Sequence, residues 1–355
     1  MQILSSMKEW VAPIKPYLRW LILGGTLFFL LHTLRQHWQE VTTIQIEGWG
    51  WVLLAAALLV TLAAHVWAGW VWGWILEELG YDALGGWSIS AYLKTNIAKY
   101  LPGNVWHFYG RVMAAKSVGV PLEGAAVSVV MEPLLMAIAA LVIAFASNQR
   151  LNIGLQLMGL GIGLALVHPR VMNPLLSKIA AAKRKLASTY SESSTRSSSA
   201  DSSATTPIDL PVDWTSDAAS PSSALSASHA SSPTSHQKPV FLKKYPILPL
   251  IGELIFLVLR GAGFIGAVMA LHSVEWADVL PLLSAFSVAW MLGLVVPGAP
   301  GGIGVFEATV LALLNNSVPP GPLLGAVAFY RLVNTLAEAI GAGLAWSGDR
   351  LSTQT

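Results

Sequence analysis

Four ionisable residues, Arg111, Glu132, Glu307 and Arg331, lie inside or beside strongly apolar segments. A lone charge at the centre of a bilayer costs at least about 2.5 to 3.5 kcal/mol on insertion scales, so each needs a partner or a wet cavity. Arginine presents a planar fork of donors that suits a phosphate, while a glutamate beside it can serve as a counter-charge or bind an ammonium group. Together they describe a phospholipid headgroup site. Arg331, Asn334 and Glu338 follow i, i+3, i+7 spacing on one helical face, and Glu253 and Arg260 share another at i, i+7. Two helices therefore turn polar stripes toward a common interior. The simpler alternative is mutual pairing, Arg111 with Glu132 and Glu307 with Arg331, as ties between helices.

Other chemistry finds less support. His107 sits beside Trp106, Phe108 and Tyr109 and reads as an interface or packing residue, as does His65. The glycine-rich GAPGGIG lacks the GK[ST] ending of a phosphate loop, so its glycines are better used for a tight turn. No Ser/His/Asp order, metal-ligand spacing or dinucleotide fingerprint stands out. No catalytic residue, metal or cofactor is expected, and the net charge of +2 does not argue for nucleic acid.

The elements that must hold these residues are membrane helices. The chain has 355 residues, of which 54% are hydrophobic and only 11% charged, against about 25% charged in globular proteins. Spans of about 20 apolar residues are needed to cross a hydrocarbon core of about 30 Å. Full spans are expected over 17–34, 49–76, 124–147, 151–167, 245–271 and 322–346. Two further apolar segments, 87–100 and 279–296, each run into a Pro-Gly break followed by a second short apolar piece. They predict re-entrant hairpins turning at Pro102 and Gly103 and at Pro297, Gly298, Gly301, Gly302 and Gly304. The fold class is an all-α polytopic membrane protein, with about six full spans plus two hairpins, or about eight spans.

Between 188 and 236 the composition changes: 18 of these 49 residues are serine. This stretch is expected to be a disordered loop. Lys183, Arg184 and Lys185 before it and Lys238, Lys243 and Lys244 after it place it in the cytoplasm by the positive-inside rule, with the N-terminus on the same side. A single transmembrane domain over 1–347 is thereby divided into two units, about 49–147 and about 245–347.

The two units share an order of events. YLPGNVWHFYGR and VVPGAPGGIGVFE each carry a Pro-Gly break and then one ionisable residue, and a long span with an ionisable residue of opposite sign follows. Arg111 and Glu132 in the first unit become Glu307 and Arg331 in the second. With the loop between them cytoplasmic, the helices opening the two units run in opposite senses, which is the inverted-repeat plan of many transporters.

PGNVWHFYGR with a glutamate in the next helix, and PGAPGGIGVFEATVLALL followed by FYRL, resemble the paired signatures of the lysylphosphatidylglycerol synthase transmembrane region family, a flippase-like integral membrane family. The resemblance runs from about residue 15 to 347, apart from the Ser-rich insert. It implies a membrane region similar to a lipid flippase that moves aminoacylated phosphatidylglycerol between leaflets, with a separate soluble domain making the lipid. Nothing after Trp346 can form such a domain, so lysine transfer is not expected of this chain. The chain departs from the family pattern at Tyr109-Gly110, where an acidic residue would precede Arg111.

The expectation is a multi-pass protein of the plasma or inner membrane that moves a phospholipid between leaflets, with membrane phospholipid as partner and homo-oligomerisation left open. Arg111 and Arg331 would anchor the phosphate, Glu132 and Glu307 would be counter-charges, and Asn334 and Glu338 would complete the site. The alternative is a membrane enzyme acting on a lipid-linked sugar or phosphate, which needs ionisable groups within hydrogen-bond reach of a substrate atom.

Overall fold

A computed structural model describes residues 46–82, 85–100, 105–147, 153–171, 244–296, 304–314 and 317–352, with the isolated positions 35, 173, 174, 177, 242 and 302. The expected span over 17–34, the Ser-rich stretch 188–236 and the turn residues Pro102, Gly103, Pro297, Gly298 and Gly301 lie outside the described residues. The chain divides into two compact units, residues 1–173 with 240–355 and residues 174–239. All the helices considered below belong to the first.

These are α1 (Gly48–Glu78), α2 (Gly86–Asn96) with a 3₁₀ turn Ile97–Tyr100, α3 (Trp106–Ser117), α4 (Leu122–Ser147), α5 (Ile153–Val167), α6 (Ile247–Met269), α7 (Trp276–Val295), α8 (Val305–Leu314) and α9 (Pro320–Ser352). Among the described residues, α1, α4, α6, α7 and α9 are long and apolar enough to cross a membrane. Two expectations change. The segment 279–296, left between a span and a hairpin limb, lies up to Val295 in a 20-residue helix that starts earlier because Glu275 and Asp278 form a capping box, and Val296 is its extended C-cap. The segment 151–167, expected to cross, contains a helix of only 15 residues, about 22 Å at 1.5 Å per residue. The 11-residue α2 and 12-residue α3 reach about 16 to 18 Å each, too short for a 30 Å core.

The long helices are sorted inside out, as a bilayer requires. On α6 the exposed face carries Ile247, Ile251, Ile255 and Val258, whereas Gly252, Glu253, Phe256, Leu257 and Arg260 are buried. On α9 the exposed row is Leu332, Leu336, Ile340 and Leu344, and Tyr330, Asn334, Ala337 and Glu338 are buried. Spacings of three and four place each set on one face. Aliphatic residues facing outward and charges inward are unfavourable in water and favourable in lipid.

Packing follows a regular scheme. α1 lies along α6, with close approach made by small residues: a Cβ on Gly263 would come within 2.5 Å of Thr61 Oγ1. α1 packs on α2 and α6 on α7; α2 on α3 and α7 on α8; α3 on α4 and α8 on α9. Across the middle, α4 packs on α6 and α7, and α9 packs on α1 and α2. Exchanging α1–α4 with α6–α9 leaves this set of neighbours unchanged, and α5, packed on α4, stands outside it. Contacts of α2 with α9 pair Lys94 with Asp349, Lys99 with Glu338 and Tyr100 with Thr335, so those two helices run antiparallel.

Candidate functional site

The breaks between short helices have local causes. Past α7 the chain turns through Gly302 and Gly304, with φ of 71° and 89°, in a region that residues with a Cβ rarely adopt. A Cβ on Gly302 would also sit 3.1 Å from the Cα of Gly293, so the turn lies against the α7 backbone. This close approach brings Glu307, in the first turn of α8, under the turn. The Gly304 N–H donates to Glu307 Oε2 at 2.6 Å, and Arg331 Nε on α9 donates to Glu307 Oε1 at 2.5 Å. Arg331 Nη2 also donates to the Gly302 carbonyl at 3.1 Å. The N-terminus of α8 is thus occupied by its own glutamate.

In the first half Arg111 of α3 donates to Glu132 of α4, and both side chains are buried. The Arg111 guanidinium carbon is 4.5 Å from the Tyr92 ring centroid and 5.6 Å from that of Phe108. Pro133 follows Glu132 inside α4, removing one helical hydrogen bond beside the charge. Both salt bridges raised as helix ties therefore form, each joining a short helix to the long helix that follows.

A third cluster lies between α1, α6 and α9. Arg260 donates to Asn334 Oδ1, while His65 Nε2 lies 3.2 Å from that oxygen, 3.3 Å from Glu338 Oε1 and 3.1 Å from Arg260 Nη1. Lys99, from the 3₁₀ turn after α2, also pairs with Glu338. Arg260 has no carboxylate within salt-bridge distance among the described residues, and is flanked by Trp290 at 4.6 Å and Tyr330 at 5.4 Å from its guanidinium carbon.

The three clusters surround one cavity of about 110 Å³. Its polar lining is Lys99, Arg111, Glu132, Arg331, Asn96, His65 and His107, and Tyr92, Phe256, Trp290 and Phe306 supply aromatic wall. Of the residues expected from sequence, Arg111, Glu132 and Arg331 reach the cavity directly; Glu307 backs Arg331 from outside it. Asn334 and Glu338 stand behind His65 and Lys99. Gly302 lines the cavity, whereas Gly304 acts through Glu307.

Lys99, Tyr92 and Trp290 were not singled out as site residues by the sequence. Lys99 is one of two lysines in a short apolar segment with no spacing that links it to the other charges, and a lone aromatic in an apolar run carries no signal. Arg260 was visible as half of a polar stripe, but its neighbours were not. His107, read as a packing residue, is buried and lines the cavity.

No curated protein is a significant match to the chain. The sequence model described as Lysylphosphatidylglycerol synthase TM region matches residues 18–341, a range that takes in every residue of the cavity wall. With glycine turn, buried arginine–glutamate pairs and polytopic helices all inside that match, the chain belongs to the lysylphosphatidylglycerol synthase transmembrane region family, a membrane family associated with lipid handling.

Proposed function

We propose that the protein moves a phospholipid between membrane leaflets, taking the headgroup through the cavity between two inverted repeat units, 49–147 and 245–347. The observation that carries this reading is the cavity lining. Lys99, Arg111 and Arg331 bring three cationic side chains to it against the single carboxylate of Glu132, inside a bundle whose outer faces are aliphatic. Cationic side chains with glutamates in exchange distance bind a phosphate reversibly, because the carboxylate holds the guanidinium when the phosphate leaves. The aromatic wall accepts the glycerol and upper acyl region.

The unchanged neighbour scheme under exchange of α1–α4 with α6–α9 supports the repeat, and the cytoplasmic basic flanks of the Ser-rich stretch support opposed orientations. In this reading the N-terminus and that stretch are cytoplasmic, the membrane is the plasma or inner membrane, and the Pro-Gly turns are hinges. Modified headgroups, including aminoacylated ones, fall within the same substrate class, with Glu132 as the group that meets an ammonium.

The test is a leaflet-resolved assay with fluorescent phosphatidylglycerol in liposomes. Wild-type protein should speed movement between leaflets, and Arg111→Ala and Arg331→Ala should each reduce the rate by at least about tenfold, the equivalent of about 1.4 kcal/mol. Unchanged rates in both variants would remove the cavity from the transport path.

A further inference from the structure

Among the described residues, helix α6 carries an acid and, seven residues on, a cation, neither of which has a salt-bridge partner. Glu253 is fully buried, and among the described residues neither carboxylate oxygen has a hydrogen-bond partner. Arg260 is equally buried, and its contacts are a carboxamide, an imidazole and two aromatic rings. The i, i+7 spacing separates them by about 10 Å along one face, beyond direct pairing.

An ionised carboxylate with no donor in an apolar interior is far costlier than a neutral carboxylic acid, which needs at most one acceptor. Neutral Glu253 also fits its neighbours. α4, which carries Glu132, packs against α6, and the charged groups that act on Glu253 are Glu132 and its ion-pair partner Arg111, which lies over the Tyr92 ring of α2. From α1 the nearest polar contact is Trp67, whose Nε1 donates to the Gly252 carbonyl at 2.8 Å. The other polar groups facing α6, His65 of α1, Asn334 and Glu338 of α9 and Trp290 of α7, gather around Arg260 instead. Among the described residues, Arg111 is the one cation that acts on both acids, and its salt bridge is to Glu132.

We infer that Glu132 and Glu253 are a proton-binding carboxyl pair that couples binding of an anionic headgroup at Arg111 to uptake of one proton. With the site empty, Glu132 is ionised against Arg111 and Glu253 is neutral, so the pair holds one proton. When a phosphate claims the Arg111 guanidinium, Glu132 loses its counter-charge beside another acid in a buried site. It then takes a proton from cavity water, its carboxylate becomes a carboxylic acid, and the pair holds two. Release of the phosphate reverses the step and returns the proton. The charge brought by the lipid is balanced by the proton, and a pH gradient becomes a driving force. This rests on the lipid-transport reading of the cavity and supplies its energy source.

The experiment separates the two. In maltoside micelles at neutral pH, infrared spectra should contain the carbonyl stretch of a buried carboxylic acid that disappears in Glu253→Gln. Titration with dihexanoyl phosphatidylglycerol, and with inorganic phosphate as a second probe, should take up about one proton per bound anion in wild type and none in Glu132→Gln. In proteoliposomes, movement of fluorescent phosphatidylglycerol away from the acidic side should rise by up to about tenfold per pH unit of gradient, and the ratio of rates with and without gradient should fall to one in Glu132→Gln, whose side chain cannot take up the proton. Glu253→Gln tests the neutral acid. Glutamine is isosteric with the neutral acid, so that variant should melt within a few degrees of wild type.

An absent carboxylic-acid band, anion binding without proton uptake, no binding of either probe, an unaltered gradient response in Glu132→Gln or collapse of the melting temperature in Glu253→Gln would each overturn the coupling. Proton uptake with bound anion but no movement of lipid between leaflets would uphold the coupling and overturn the transport reading.

Discussion

Arg111 on α3 and Glu132 on α4 form a buried ion pair, and the Glu307–Arg331 pair of α8 and α9 repeats it with the acid and base exchanged between short and long helix. The two pairs are not equivalent in solvation. Arg111 is 3% exposed at its side chain and Arg331 25%, so the first pair is the more dependent on its partner.

Removing one partner of a buried pair costs about 3 to 5 kcal/mol, because it leaves the other charge desolvated, whereas an apolar replacement of both is often neutral. Arg111→Met should therefore destabilise the detergent-purified protein by about that amount, and Arg111→Met with Glu132→Leu should recover most of it. Thermal unfolding of the two singles and the double measures the coupling. Lipid movement should be absent from the double variant despite its stability.

At Gly302 both conformation and space exclude a side chain. Gly302→Ala should cost about 1 to 2 kcal/mol for the left-handed backbone, with more from the Cβ contact at 3.1 Å to Gly293. The displaced turn would also withdraw the carbonyl bonded to Arg331, so transport should fall further than stability. Gly343, where an added Cβ meets nothing, is the matched control: Gly343→Ala should leave both unchanged.

Two lysine pairs join α2 to α9 in different surroundings. Lys94 meets Asp349, whose side chain is 63% exposed, while Lys99 meets Glu338 in the interior. Asp349→Asn should change stability by less than about 1 kcal/mol and leave lipid movement unaltered. Glu338→Gln should cost several times more, since Lys99, Arg260 and His65 all face that carboxylate. Parallel melting curves distinguish the two.

Stacking over Trp290 and Tyr330 is the main support of Arg260 besides Asn334 and His65. Trp290→Ala should cost about 3 to 5 kcal/mol from lost packing, and Trp290→Phe, which keeps a ring under the guanidinium, should restore much of it. Denaturation in a graded detergent series reads the difference.

Composition and hydropathy by themselves settled the membrane and the helices, because a chain this poor in charge cannot bury its apolar surface against itself alone. Spacing also gave the polar faces of α6 and α9, since three- and four-residue periods fix which side chains share a side. The motif pair around Pro102 and Pro297 pointed to two related halves and to Arg111, Glu132, Glu307 and Arg331. The order of residues along the chain could not say whether those four pair, face lipid or line a space, nor whether 279–296 crosses. That depends on which helices become neighbours, and the contacts of α4 with α6, of α9 with α1 and of the glycine turn with Gly293 are made between residues far apart in sequence. Only the packed bundle brought Lys99 to Glu338 and left Glu253 without a donor, because burial and partnership are properties of the surrounding side chains and not of the residue that carries the charge.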